Sequence, residues 1–194
     1  MLTENNRAFK EWAVACDALR DGRQILLVRK GGIREEGGAL RMTDSEFFMM
    51  PTFEHQKRDL LQPDILPRID ARSAAPDPAF VEIDTYVVVD SILLARNEDQ
   101  VNAAAFETIW NAAYVKQRFD FNAYDPLFLV ILRAFRLETP VTIPLLGDYV
   151  GCRSWVTLDR TLSNLGAVPA LSDAQFEVRR TRVLEKLQSP ALTV

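Results

Sequence analysis

Near the start of the chain, Phe9, Trp12, Cys16 and Leu19 recur at helical spacing and predict a buried stripe on a helix from about Asn6 to Leu19. Asp21-Gly22 then reads as a turn, and Gln24 to Arg29 (QILLVR) as a short apolar strand that Lys30-Gly31-Gly32 ends. A charged, glycine-rich loop follows over Arg34 to Gly38. Glu46 to Met50 predicts a second strand closed by Pro51, after which Thr52 is placed to cap a short helix over Phe53 to Leu61. The stretch from Pro63 to Pro78 holds four prolines and reads, over residues 63–79, as a surface loop.

The second half alternates more clearly. In Phe80 to Leu94, Val81, Ile83 and Thr85 take turns with Glu82, Asp84 and Tyr86, which predicts a strand with one wet face at its start. Asn97 and Gln100 have capping-box spacing and open a predicted helix to about Val115, burying Val101, Ala105, Ile109 and Ala113. Leu127 to Leu137 and Val141 to Leu145 read as a hairpin turned at Glu138-Thr139-Pro140, and Cys152 to Leu158 as a further strand. Ser172 and Gln175 repeat the capping spacing ahead of a last helix over 172–188, striped by Phe176, Val183, Leu184 and Leu187. About six strands and four helices without strict alternation predict one α+β domain over residues 1–194. Its sheet is expected to be mixed, mostly antiparallel, and either curved or closed into a small barrel.

Composition narrows the function classes. The 194 residues are 48% apolar and 26% charged with a net charge of −4, so a protein dominated by non-specific phosphate binding is disfavoured while a local basic patch is not. The two cysteines, Cys16 and Cys152, read as small buried hydrophobes in a reducing compartment. The longest apolar run, Leu127 to Leu132, is strand-length, and the polar start is unlike a signal peptide. A cytoplasmic protein with no membrane contact is expected. A lone histidine, His55, rules out a zinc site of several imidazoles in one chain. No phosphate-binding loop, nucleophile elbow or dinucleotide fingerprint occurs.

Three polar clusters remain. In Arg29-Lys30-Gly31-Gly32 two cations meet two glycines, whose bare backbone can approach an anion or simply turn the chain. Around Thr52, His55 and Gln56 an imidazole and an amide can read a ligand edge or satisfy a helix start. In Gly151-Cys152-Arg153-Ser154-Trp155, Arg153 and Trp155 are spaced to share a strand face, where a guanidinium and an indole suit stacking on a base. Arg29, Lys30, Gly31, Gly32, Thr52, His55, Gln56, Arg153 and Trp155 are thus the candidate ligand-binding residues. RNA, single-stranded DNA or a nucleotide is the expected partner, with no metal and no cofactor.

Two other classes stay open. A nuclease or phosphoester hydrolase would hold a divalent ion on Glu35, Glu36, Glu46, Glu82 or Asp84, though no catalytic lysine accompanies them in the usual spacing. Cys152 with His55 as base is a further conceivable pair. An interaction module would dock a partner on the final helix.

The segments EWAVACDAL, ILLVRKGGI, PTFEHQ, ILRAFRL and GCRSWV, in that order from about Phe9 to Leu158, resemble a bacterial family catalogued as a domain of unknown function, DUF1802. That resemblance implies a single domain and supplies no activity. The overall arrangement, a strand pair ending in a basic glycine loop with helices around a later hairpin, also resembles PUA-like domains of the ASCH and EVE groups. This second resemblance implies a barrel whose pocket binds RNA or a modified base.

Overall fold

The computed structural model describes residues 1–31, 33–36, 39–71, 77–122, 124–151 and 153–188. Its centre is a seven-stranded sheet built from β1 (Glu4–Trp12), β2 (Leu26–Lys30), β5 (Glu46–Thr52), β6 (Phe80–Ala95), β7 (Leu127–Pro144), β8 (Trp155–Ser163) and β9 (Val168–Pro169). The strands run in the order β2-β7-β6-β5-β1-β8, with the short β9 on the flank of β7. Among the described residues of this sheet β1 and β5 run parallel, and the other pairings are antiparallel. The mixed, mostly antiparallel α+β class holds, and the sheet stays open between β2 and β8 rather than closing into a barrel. A small hairpin of β3 (Ile33–Glu36) and β4 (Ala39–Met42) stands where the sequence reads as a loop. No helix among the described residues is long and apolar enough to cross a membrane.

The apolar run that opens β7 is continuous because both of its faces are covered. Leu127, Leu129 and Ile131 pack under the helices, while Val130, Leu132 and Ala134 meet Phe9, Phe47 and Met49. Met49 and Phe9 lie on β5 and β1, two and three places from β7 in the strand order, so one apolar cluster spans these strands. A second apolar cluster fills the far end around Phe48, Met50, Ile83, Tyr86 and Tyr149.

The first helix starts later than the stripe implies. Residues up to Trp12 form β1, pinned between β5 and β8, and only α1 (Ala13–Arg20) is helical. Phe9 does face the core, but by strand alternation rather than by helical turn. Residues Ala13 to Leu19 are all buried, because α1 sits between the sheet and the other helices.

Pro51 continues β5, and Phe53 to Leu61 contains only a 3-10 turn over Arg58–Leu60 instead of a helix. The hydroxyl of Thr52 accepts from Glu54 N at 3.3 Å, which makes a turn, not a cap. Within residues 63–79, α2 (Leu66–Ala71) follows a 3-10 turn at Pro63–Ile65, and Ile65 and Ile69 are buried in the core.

The long helix expected after Asn97 is broken into α3 (Glu98–Ala103) and α4 (Ala112–Asp120). The side-chain amide of Gln62 explains the gap. It donates to the carbonyls of Ala105, Thr108 and Trp110 at 2.8, 3.0 and 3.1 Å, taking acceptors that a continuous helix would use internally. Asn97 accepts from Gln100 N as its spacing implies, and Asn111 caps α4 by accepting from Tyr114 N.

Glu138-Thr139-Pro140 is not a hairpin turn. β7 runs on as one strand, and its ladder to β6 slips between Ile83 and Thr85, so these residues bulge out. The final helix, α5 (Asp173–Gln188), opens with a reciprocal box in which Ser172 N donates to Gln175 and Gln175 N donates to Ser172.

Candidate functional site

At the open seam of the sheet, the end of β2 comes close to the end of β1 and the residues leading into β8. Arg29 on β2 spans that seam. Its guanidinium donates to Ser154 Oγ at 3.0 Å, lies 4.6 Å from the centre of the Phe9 ring, and stands 3.9 Å from Glu11 Oε2. The Glu11 side chain is only 9% exposed, and its other oxygen accepts from Trp12 N at 2.9 Å. Phe9 and Phe47 both meet the Trp155 ring edge-on, at 5.0 and 4.8 Å, so the indole wedges against the sheet.

Helix α4 supplies the opposite wall. Tyr114 stacks on Trp110 with centroids 4.0 Å apart and planes 9° apart, and Trp12 meets Trp110 edge-on at 5.0 Å. One turn on, Arg118 lies over the Tyr114 ring at 5.0 Å. Trp12 and Arg118 are half-buried, so this row of rings ends in a partly open indole and a partly open guanidinium.

The charges are unbalanced. Burial lowers the pKa of Arg29, Glu11 opposes that, and Arg118 adds to it by like-charge repulsion. Burial also disfavours the charge on Arg118, but Tyr114 and Glu11 outweigh it and hold its pKa above the ordinary value. Burial pushes the Tyr114 phenol up. Arg29, Arg118, Glu11 and Tyr114 are thus near enough to act on one another's charge.

Arg29 and Trp155 both meet the Phe9 ring, and Gln56 lies at the β1–α1 junction, where its Oε1 accepts from Val14 N at 3.2 Å. Lys30 turns away. Its ammonium donates to the carbonyls of Arg118 and Phe119, at 3.0 and 2.9 Å, and so caps the C-terminal end of α4. Gly31 is half-buried with φ +80° and has open space where a side chain would go. His55 is exposed on a turn at φ 61°. Arg153 is exposed, and Thr52 lines a separate cavity of about 490 Å³. Gly32 and Cys152 lie outside the described residues, as do the side chains of Glu35 and Glu36.

The remaining carboxylates are dispersed. Glu46 accepts from Tyr86 Oη and Leu2 N, Asp84 pairs with Arg20, and Glu82 is exposed. Among the described residues no group of three or more His, Cys, Asp or Glu side chains could hold a metal ion.

Glu11, Trp12, Tyr114, Arg118 and Ser154 were not singled out by sequence reasoning. Reading residues 6–19 as a helix leaves Glu11 off the buried stripe, and the strand alternation Phe9-Glu11 is the signal that would have found it. Tyr114 and Arg118, four apart on α4, had a cation–aromatic spacing to mark them.

A family model described as "Domain of unknown function (DUF1802)" matches residues 8–182. Crystal structures of ASCH from Zymomonas mobilis are similar to this chain. A Tyr-to-Phe mutant is 12% identical with a TM-score of 0.43, covering 79% of this chain and 90% of that one. A Ser-to-Ala mutant is 11% identical with a TM-score of 0.40, covering 94% and 96%. The unmutated protein is 9% identical with a TM-score of 0.42, covering 92% and 93%. No curated protein matches the chain.

Proposed function

The chain belongs to the DUF1802 family, and from the site at its sheet seam we propose that it binds single-stranded nucleic acid or a nucleotide there. Arg118 and Arg29 attract a phosphate, Trp12 offers a ring face to a base, and the Gly31 turn lets the ligand backbone pass close. What carries the reading is the Arg29 guanidinium at the seam, donating to Ser154 and 3.9 Å from Glu11, with a second guanidinium, Arg118, laid over the Tyr114 ring. An incoming anion adds a counter-charge for these cations, and a stacked aromatic row suits a planar base. Trp155, edge-on to the Phe9 ring that Arg29 covers, and Gln56, bonded to Val14 N, are read as supports of that site.

The test is fluorescence anisotropy with a labelled single-stranded RNA and the DNA of the same sequence, from low to moderate salt. Arg118→Gln is expected to weaken binding about tenfold and to flatten the salt slope by roughly 0.7, the share of one phosphate contact on a single strand. Lys30→Ala is expected to act less, because that ammonium is committed to α4 carbonyls. Tight binding that ignores salt, or an Arg118→Gln variant that matches the parent, overturns the proposal.

A further inference from the structure

The cavity that Thr52 lines has a chemistry unlike the seam. It measures about 490 Å³, within the usual range of small-molecule pockets, and its walls are mostly apolar. Met50 and Tyr149 form part of its base and are buried. Phe80, Leu145 and Val150 stand at 45%, 38% and 47% exposure, large hydrophobic side chains turned to one hollow and left wet. The hollow is built firmly. Tyr149 Oη donates to Asp159 Oδ1 at 3.1 Å and accepts from Asp159 N at 2.7 Å, so the wall it forms is tied to β8.

Two of the hollow's described lining residues carry charge: Lys10 of β1, which is half-buried, and Glu54, which is exposed. The Lys10 ammonium donates to Tyr149 O at 2.9 Å and to Gly151 O, which uses two of its three protons. Gly151 has φ +89° and open space where a side chain would go, so no side chain at that position crowds the loop that Lys10 holds. Lys10 and Glu11 are neighbours on a strand and point to opposite faces, which separates this hollow from the seam.

We propose that this cavity is a second binding site, for a small organic monoanion with an aromatic ring or short acyl chain. The apolar part covers Phe80, Leu145 and Val150, and the anionic end takes the third proton of Lys10. Charge complementarity to Lys10 favours this occupant over a neutral one, because the half-buried ammonium gains most from a charged acceptor while the exposed Glu54 carboxylate stays solvated. The proposal is independent of nucleic-acid binding at the seam.

Two dyes of similar shape separate the contributions: anilinonaphthalene sulfonate, which is anionic, and phenylnaphthylamine, which is not. Both are expected to bind the full chain, with the sulfonate displaced by octanoate. Lys10→Met is expected to weaken the sulfonate about tenfold, the worth of one charge-assisted hydrogen bond, and to leave the neutral dye within about twofold. Because Lys10 also ties the loop at Tyr149 and Gly151, the surface variants Phe80→Ser and Leu145→Asn serve beside it and should weaken both dyes. Dye binding untouched by Phe80→Ser and Leu145→Asn overturns the site. Equal loss of both dyes on Lys10→Met overturns the anion. A dimer dissolved by Phe80→Ser would assign the face to a second copy of the chain and overturn the small-molecule reading.

Discussion

Glu11→Gln tests the physics of the seam most directly, because the amide keeps an oxygen to accept from Trp12 N and removes only the charge. At the 3.9 Å separation from Arg29, opposite unit charges attract by about 4 kcal/mol at an effective dielectric of ~20. Part of that is offset by desolvation, and breaking one side of a fully buried pair usually costs ~3–5 kcal/mol. The Arg29 side chain keeps 16% of its exposure, so the expected loss is smaller, about 2–3 kcal/mol. Urea unfolding followed by tryptophan fluorescence reads that loss directly, with Trp12, Trp110 and Trp155 spread across the seam. The same change should tighten phosphate binding, since it leaves the two guanidiniums unopposed. Nucleic-acid affinity at low salt is expected to rise by roughly threefold to tenfold. Arg29→Met combined with Glu11→Gln closes the cycle, and the double variant should be more stable than the sum of the two single losses. A stability change below about 0.5 kcal/mol for Glu11→Gln, with no coupling to Arg29→Met, would refute the argument.

Two further outcomes follow from the same structure. Asn111→Ala removes the cap on Tyr114 N and two ties, from Asn111 Nδ2 to the carbonyls of Asp59 and Leu61; about 2 kcal/mol of stability should go, measured in urea, and nucleic-acid affinity should fall with it because α4 carries Tyr114 and Arg118. Burial raises the phenol pKa of Tyr86 and of Tyr114 in the fold, so their stabilising effect is complete below the unfolded tyrosine pKa and declines as pH climbs above about 10 toward the folded values, by up to ~1.4 kcal/mol per pH unit for each. Tyrosinate absorbance and unfolding should therefore rise together in strong base, and both buried phenols ionising in a still-folded protein would contradict this.

Local chemistry told the truth where a segment's neighbours agree with it. β2, β6 and α5 lie close to where alternation and capping spacing put them, and Ser172 and Gln175 exchange the two bonds their spacing promises. Reading failed where a distant group outbid the local preference. Gln62 captures three carbonyls from a stretch that otherwise reads as helix, and no window around residues 98–115 contains that information. Pro140 is a turn signal, yet the pairing of Val81 and Ile83 with Ile143 and Val141 carries the strand past it through a bulge.

The error at the N-terminus matters most for function, because helix and strand readings place different residues beside Arg29. Phe9 is buried under both. Glu11 is buried only if the chain alternates, and alternation here is imposed by β5 and β8 on either side of β1 rather than by β1 itself. Once Glu11 turns inward it lies 3.9 Å from Arg29, which also donates to Ser154, so side-chain contacts rather than a strand ladder cross the seam. A backbone ladder there would close the sheet and leave no room for a ligand. A charged contact of 3.9 Å keeps the two ends near each other while leaving the guanidinium able to trade its carboxylate for a phosphate. The open edge of the sheet and the chemistry of the site therefore meet at Arg29, which Ser154, Phe9 and the inward-facing Glu11 hold in place.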